Sequence, residues 1–171
     1  MASRVQLSLF VPPADAEPLE RARRLLDPVQ AALIPAHVTL CREDELDDID
    51  LPRLGAIIAS SGVAPIRLTF GAPEYFHSHG VWLPCVEGEE QFHEARCRIL
   101  GAREVRRHAP HLTLAHPRNP RAPQNVPANL HAVPAGLVIT FALVHHILQE
   151  RVQPWRVIGT HALAAAAPDA P

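Results

Sequence analysis

Apolar residues alternate with polar ones from Val5 to Val11, which predicts a strand with Val5, Leu7, Leu9 and Val11 on one face and Gln6, Ser8 and Phe10 on the other. The period then lengthens. From Ala16 to Leu33 the apolar positions Leu19, Leu25, Leu26, Val29 and Leu33 recur at helical spacing, so a helix is expected there, followed by a short strand at His37–Leu40. The same order returns later: Val81 to Val86 reads as a strand, Glu89 to Leu100 as a helix, and Arg106-Arg107-His108-Ala109-Pro110 leads into a strand at His111–Leu114. Val5 lies 32 residues before His37, and Val81 lies 30 before His111, a near-constant offset that identifies an internal repeat. On this alignment Phe10-Val11-Pro12 and Trp82-Leu83-Pro84 occupy corresponding places.

Between the halves, Asp50-Leu51-Pro52 reads as a capped helix start leading to Leu54, Ile57 and Ile58, with Ser61-Gly62 as its end. Ile66 to Phe70 is expected to be a strand, and Leu137 to Leu148 and Val152 to Ile158 to be two closing strands. The proline-rich stretch Arg118 to Pro134 reads as a long loop. The expected fold is α+β: one bilobal, duplicated domain over residues 1–161, with antiparallel sheets on either side of a central cleft, and a disordered Ala/Pro tail over 162–171. A monomer is expected.

Both repeats end on the same tetrapeptide pattern, His-apolar-Thr-Leu, as His37-Val38-Thr39-Leu40 and His111-Leu112-Thr113-Leu114. In a strand, residues two apart share a face, so each motif directs its His and Thr one way and its two apolar residues into the core. An imidazole near its reference pKa gives or takes a proton near neutral pH, and a threonine hydroxyl ~7 Å along the strand donates to a phosphoryl oxygen. Two such pairs facing each other can bracket one phosphorus atom.

Composition narrows the chemistry. All 16 basic residues are arginine, so mechanisms that need a lysine, such as a P-loop, a pyridoxal-phosphate Schiff base or a lysyl-nucleotide intermediate, are excluded. The formal charge of −2 argues against coating a long nucleic-acid duplex. Seven arginines against Glu104 alone between Arg96 and Arg121 read equally as solvated surface or as a field for a phosphate ligand around His111, whereas the six acids between Glu43 and Asp50 read as solvated surface. Cys41, Cys85 and Cys97 have neither zinc-like spacing nor an even count for a disulfide framework, and His77-Ser78-His79-Gly80 reads as a turn with no complete metal-ligand set. No metal and no cofactor is expected. Met1 to Ala16 offers Arg4, an apolar stretch and Ala-Asp-Ala like a short secretion signal, but Gln6 and Ser8 impose strand alternation on it, and no segment is long and apolar enough to span a membrane. A cytoplasmic location is expected.

The paired motifs resemble the signature of the two-histidine (2H) phosphoesterases, which include the bacterial 2′-5′ RNA ligase and RNA cyclic phosphodiesterase group, and Leu7-Ser8-Leu9-Phe10-Val11-Pro12-Pro13 is similar to that group's first strand. The resemblance implies a bilobal fold and a metal-independent reaction on 2′,3′-cyclic or 2′-5′ phosphodiesters of short RNA ends or cyclic nucleotides, possible in reverse as ATP-independent ligation. It implies His111 as base, His37 as acid, and Thr39 and Thr113 on the non-bridging oxygens. Arg42, five residues after His37, is a further phosphate-binding candidate; the matching position holds His116, with Arg118 as a substitute. Phe10 and Trp82 are candidates for stacking a base, with Tyr75 or Phe76 contributing, although each is also an ordinary packing residue. The alternative from another class is a non-catalytic RNA-end or nucleotide binder with the same cleft.

Overall fold

A computed structural model describes residues 4–47, 49–131, 133–150 and 153–165. The first half begins with β1 (Arg4–Phe10), passes through α1 (Pro13–Leu26) and α2 (Pro28–Leu33), and returns antiparallel to β1 as β2 (His37–Cys41). The middle of the chain supplies α3 (Leu54–Ser60), β3 (Ile66–Phe70) and a short β4 (Glu74–Phe76). The second half repeats the plan with β5 (Gly80–Glu87), α4 (Glu89–Leu100) and β6 (His111–Ala115), and the chain closes through α5 (Pro127–Leu130), β7 (Leu137–Phe141), β8 (Leu143–Gln149) and β9 (Arg156–Ala162).

Two antiparallel sheets result. One has the order β2-β1-β8-β9; in the other β7 pairs β3, β3 pairs β5, and β6 and the hairpin strand β4 also pair β5. The motif strands β2 and β6 each lie outside the long first strand of their half, and they pack against each other where the sheets meet. Helix α1 of the first half rests against β6, and α4 of the second rests against β2, so each half covers the other's motif strand. One continuous apolar core, with Leu7, Leu9, Val38 and Leu40 from the first half and Val81, Leu83, Leu112 and Leu114 from the second, runs through both sheets.

Several boundaries differ from the sequence expectation for identifiable reasons. The single helix expected over Ala16–Leu33 is two, because Asp27 ends α1 and its side chain accepts from the Gln30 amide at 2.9 Å, while Pro28 occupies the first turn of α2. Asp50 makes no side-chain cap; a 3-10 turn at Leu51–Arg53 comes first, and α3 starts only at Leu54. The stretch expected as one strand over Leu137–Leu148 is β7 and β8, which belong to different sheets. The buried phase shifts from Ile139 and Phe141 to Val144 and His146 across Ala142, and there the chain leaves one sheet for the other. The last strand runs to Ala162 and Leu163 is buried; the expected strand start at Val152 and residues 166–171 of the Ala/Pro segment lie outside the described residues. The long loop also contains the single turn α5.

Candidate active site

The two motifs share geometry to the level of single hydrogen bonds. In β2 and in β6 the His and Thr are half-buried and the two apolar residues between and after them are buried. Each strand meets its partner across an irregularity at the same place: Ser8 pairs Thr39 and Leu7 pairs Cys41, while Trp82 pairs Thr113 and Val81 pairs Ala115. Just before each motif the Val11 amide donates to the Ala36 carbonyl at 3.0 Å, and the Cys85 amide donates to the Pro110 carbonyl at 3.1 Å. This register corrects the alignment of the halves by two residues. Pro84, not Trp82, is the counterpart of Phe10, and Trp82 is the counterpart of Ser8.

The imidazoles are held alike. His37 Nδ1 lies 2.9 Å from the Pro35 carbonyl oxygen, and His111 Nδ1 lies 3.0 Å from that of Ala109. A carbonyl only accepts, so Nδ1 carries the proton of each neutral ring and Nε2 presents a lone pair. Burial lowers the His37 pKa to about 4, the Pro35 carbonyl opposing and the charges of Arg23 and His111 adding to the shift. His111 is lowered too, chiefly by burial, with the Ala109 carbonyl opposing and Arg42 assisting. Both rings are therefore neutral at pH 7 in the unliganded protein. No protein group among the described residues takes the Thr39 or Thr113 hydroxyl as a hydrogen-bond partner.

Arg42 leaves β2 on the side of the second motif, where its charge acts on His111. Its acidic neighbours are engaged elsewhere: Glu43 with Arg4, Asp44 with Arg106, and Glu45 with Arg96 and Arg106. Arg42 thus has no carboxylate partner among the described residues. His116 is placed differently. Its amide donates to Asp27 Oδ2 at 2.8 Å and its Nδ1 accepts from the Arg118 amide at 3.1 Å, so it ties the exit of β6 to the α1–α2 corner and is no mirror image of Arg42.

The arginine-rich segment is mostly internal wiring. Arg96 is fully buried and donates to the carbonyls of Leu40 and Arg106 and to Glu45; Arg98 pairs with Glu94, Arg106 with Asp44 and Arg107 with Glu90. Of the two readings of this cluster, solvated surface or a field around His111, neither describes Arg96, Arg98, Arg106 and Arg107, whose charges are paired. The acids Glu43, Asp44 and Glu45, expected as plain solvated surface, form ion pairs with the cluster and with Arg4. His77 and Ser78 adopt positive φ at the β4–β5 turn, in keeping with the turn expected there. Among the described residues no group of three or more His, Cys, Asp or Glu is placed to hold a metal ion. Nor is any of their helices long and apolar enough to cross a membrane. The three cysteines are free, and burial pushes the Cys41 thiol up to about 12, which makes it inert.

Aromatic rings flank both histidines. Phe10 stands edge-on to His37 with centroids 6.3 Å apart and stacks one face on His145 at 4.2 Å; Trp82 lies 5.0 Å from His111 and stacks on Phe76 at 4.9 Å. Two residues escaped the sequence reading. Trp155, in an isolated Pro-Trp pair without periodicity, lies 5.7 Å from His37 and is anchored by its amide donating to the Leu33 carbonyl at 2.8 Å. His108 braces β2 from behind, its Nε2 3.3 Å from the Thr39 carbonyl oxygen, and desolvation holds its pKa down to about 4.

The family model described as the 2′-5′ RNA ligase superfamily matches residues 11–151. Among solved structures, TT0787 of Thermus thermophilus superposes with a TM-score of 0.62 at 17% identity, covering 96% of this chain and 100% of that one. LigT of E. coli complexed with NADP+ gives 0.59 at 15%, and its apo form 0.58 at 16%, each covering 95% of this chain and 98% of theirs. No curated protein matches. At these identities the structural likeness speaks for the fold alone, which is the expected α+β arrangement of two antiparallel sheets. Together with the family match over most of its length, it shows that this chain belongs to the 2′-5′ RNA ligase superfamily of two-histidine phosphoesterases.

Proposed function

We propose that the protein opens 2′,3′-cyclic phosphates of nucleotides or short RNA ends by His/His acid-base catalysis that needs no metal or cofactor, and that the same site, with the 5′-hydroxyl of a second RNA end attacking in place of water, forms a 2′-5′ linkage without ATP, a step that also runs in reverse. The observation that carries this reading is the matched pair of imidazoles, each fixed with Nδ1 on a carbonyl two residues upstream and Nε2 free, on edge strands that pack together. In-line displacement at phosphorus needs a base behind the entering oxygen and an acid behind the leaving one. His111 takes the proton of water and His37 gives one to the departing ribose oxygen, while the Thr39 and Thr113 hydroxyls and Arg42 bind the non-bridging oxygens. The bound phosphodiester anion supplies the negative charge that lets one ring hold a proton despite its burial. E. coli LigT has been crystallised with 3′-AMP, ATP and NADP+, which supports a nucleotide-sized ligand here.

The deciding experiment is incubation with 2′,3′-cyclic mononucleotides, short cyclic-ended RNAs and 2′-5′-linked dinucleotides, with each product identified. Ring opening to a single monoester isomer, unaffected by a chelator, is the expected result. Chelator-sensitive turnover, or none on any member, contradicts the proposal.

A further inference from the structure

Beyond His37 the cleft changes character. Phe10 and Trp155, the two rings flanking that imidazole, and Pro35, whose carbonyl holds it, also line a groove of about 900 Å³ that continues between the α1–α2 corner and the start of β8. Its walls are apolar, including Pro12, Ile34 and Leu143. Among the described residues the only charged side chains on it, Glu20 and Arg24, face opposite charges of their own, on Arg23 and Glu17 respectively. Among the described residues no unpaired cation therefore lines this groove to receive a second phosphate. On the His111 side the order is reversed, since Arg42 is a cation without a carboxylate partner among the described residues.

We propose that the groove is the subsite for a neutral planar ring on the substrate, a nucleobase carried by the ribose whose oxygen departs at His37, with Trp155 as its principal stacking surface. The inference rests on the phosphodiesterase reading and extends it. The base is held by stacking and shape, because few polar side chains reach the groove, so purines are preferred over pyrimidines while adenine and guanine are treated nearly alike. Phe10 is the wall rather than the platform, one of its faces being already covered by His145.

The test compares adenosine 2′,3′-cyclic phosphate with 1-O-methylribose 2′,3′-cyclic phosphate, which lacks the base, in the native protein, Trp155→Ala and Trp155→Phe. Trp155→Ala is expected to raise KM for the adenosine substrate about 5- to 100-fold and to leave the base-free one unchanged, with Trp155→Phe restoring most of the loss. Equal losses on both substrates, or a native protein indifferent to the base, overturn the proposal. Should the native protein hydrolyse neither, the phosphodiesterase reading falls, and the subsite is judged by binding. The chain has 2 tryptophans, so Trp82→Phe leaves Trp155 as sole reporter. Saturable quenching of its fluorescence by adenosine supports the subsite, and none at millimolar adenosine overturns it.

Discussion

At the residue scale the account turns on two nitrogens. Because Nδ1 of each ring is committed to a carbonyl, replacement of His37 or His111 by Ala removes the proton-transferring atom and is expected to lower turnover of a 2′,3′-cyclic nucleotide by about 100-fold or more. Near-normal rates in both variants contradict the mechanism. The roles separate with leaving-group chemistry, since in a p-nitrophenyl ester of a nucleoside 3′-phosphate the neighbouring ribose hydroxyl attacks from the His37 side and the nitrophenolate departs on the His111 side without needing a proton. His111→Ala should recover most of its activity on that ester and His37→Ala should not; the opposite pattern exchanges acid and base. The pH dependence follows from the shifts. Activity needs His37 protonated and His111 neutral; burial makes that the minor of the two singly protonated forms, and its share still peaks between about 4, where His37 titrates, and the lowered value of His111, which lies below 6.5. The kcat/KM profile is therefore expected to peak on the acid side of 6.5, and the kcat profile to lie further toward alkaline pH because bound phosphate raises both values. A kcat/KM optimum above neutrality contradicts this assignment.

At the element scale the motif strands are held by side chains that take no part in the chemistry. Asp27 caps α2 and also accepts from the His116 amide and from Asn119 Nδ2, so it ties the two halves together. Asp27→Ala is expected to cost about 2 to 3 kcal/mol by loss of the cap and of buried hydrogen bonds. Arg96→Leu strips the largely buried Glu45 of its close partner, leaving it only the longer contact to Arg106, and is expected to cost about 3 kcal/mol. Urea midpoints measure both, and unchanged midpoints contradict the bracing roles. Such ties mark the limit of what the sequence shows. The strands bearing His37 and His111 are legible because alternation and a repeated tetrapeptide are local, and α4 matches its expected bounds because Gly88 and Gly101 frame it. The break at Asp27 is a local Asp-Pro cap that the helical spacing on either side masks, whereas the change of sheet at Ala142 and the approach of Trp155 depend on what the chain packs against, and no window of the sequence contains that partner. The arginine-rich segment misleads for the same reason, since the carboxylates of Asp44 and Glu45 come from the other half.

At the scale of the whole molecule, a duplicated plan has been made unequal. One side of the cleft holds Arg42 and the other the apolar groove under Trp155, so a substrate with one anionic and one neutral end fits in a single direction. The histidines also set the response to acid. His37 and His108 titrate near 4 in the folded protein, and His111, His116, His145 and His146 are likewise lowered by desolvation, while the unfolded chain takes up protons from about 6.5 downward. The unfolded state binds more protons in that window, so stability is expected to fall as pH drops from 6.5 toward 4, seen as a declining Tm; a Tm flat across this range contradicts the buried neutral rings. The central claim, two imidazoles bracketing one phosphorus atom, is tested most directly by a crystal structure with a nucleoside vanadate bound. The account predicts a trigonal bipyramid with each apical oxygen about 3 Å from one Nε2, His37 on the ribose oxygen and His111 on the other. Vanadate bound to one ring only, or outside the space between them, contradicts it.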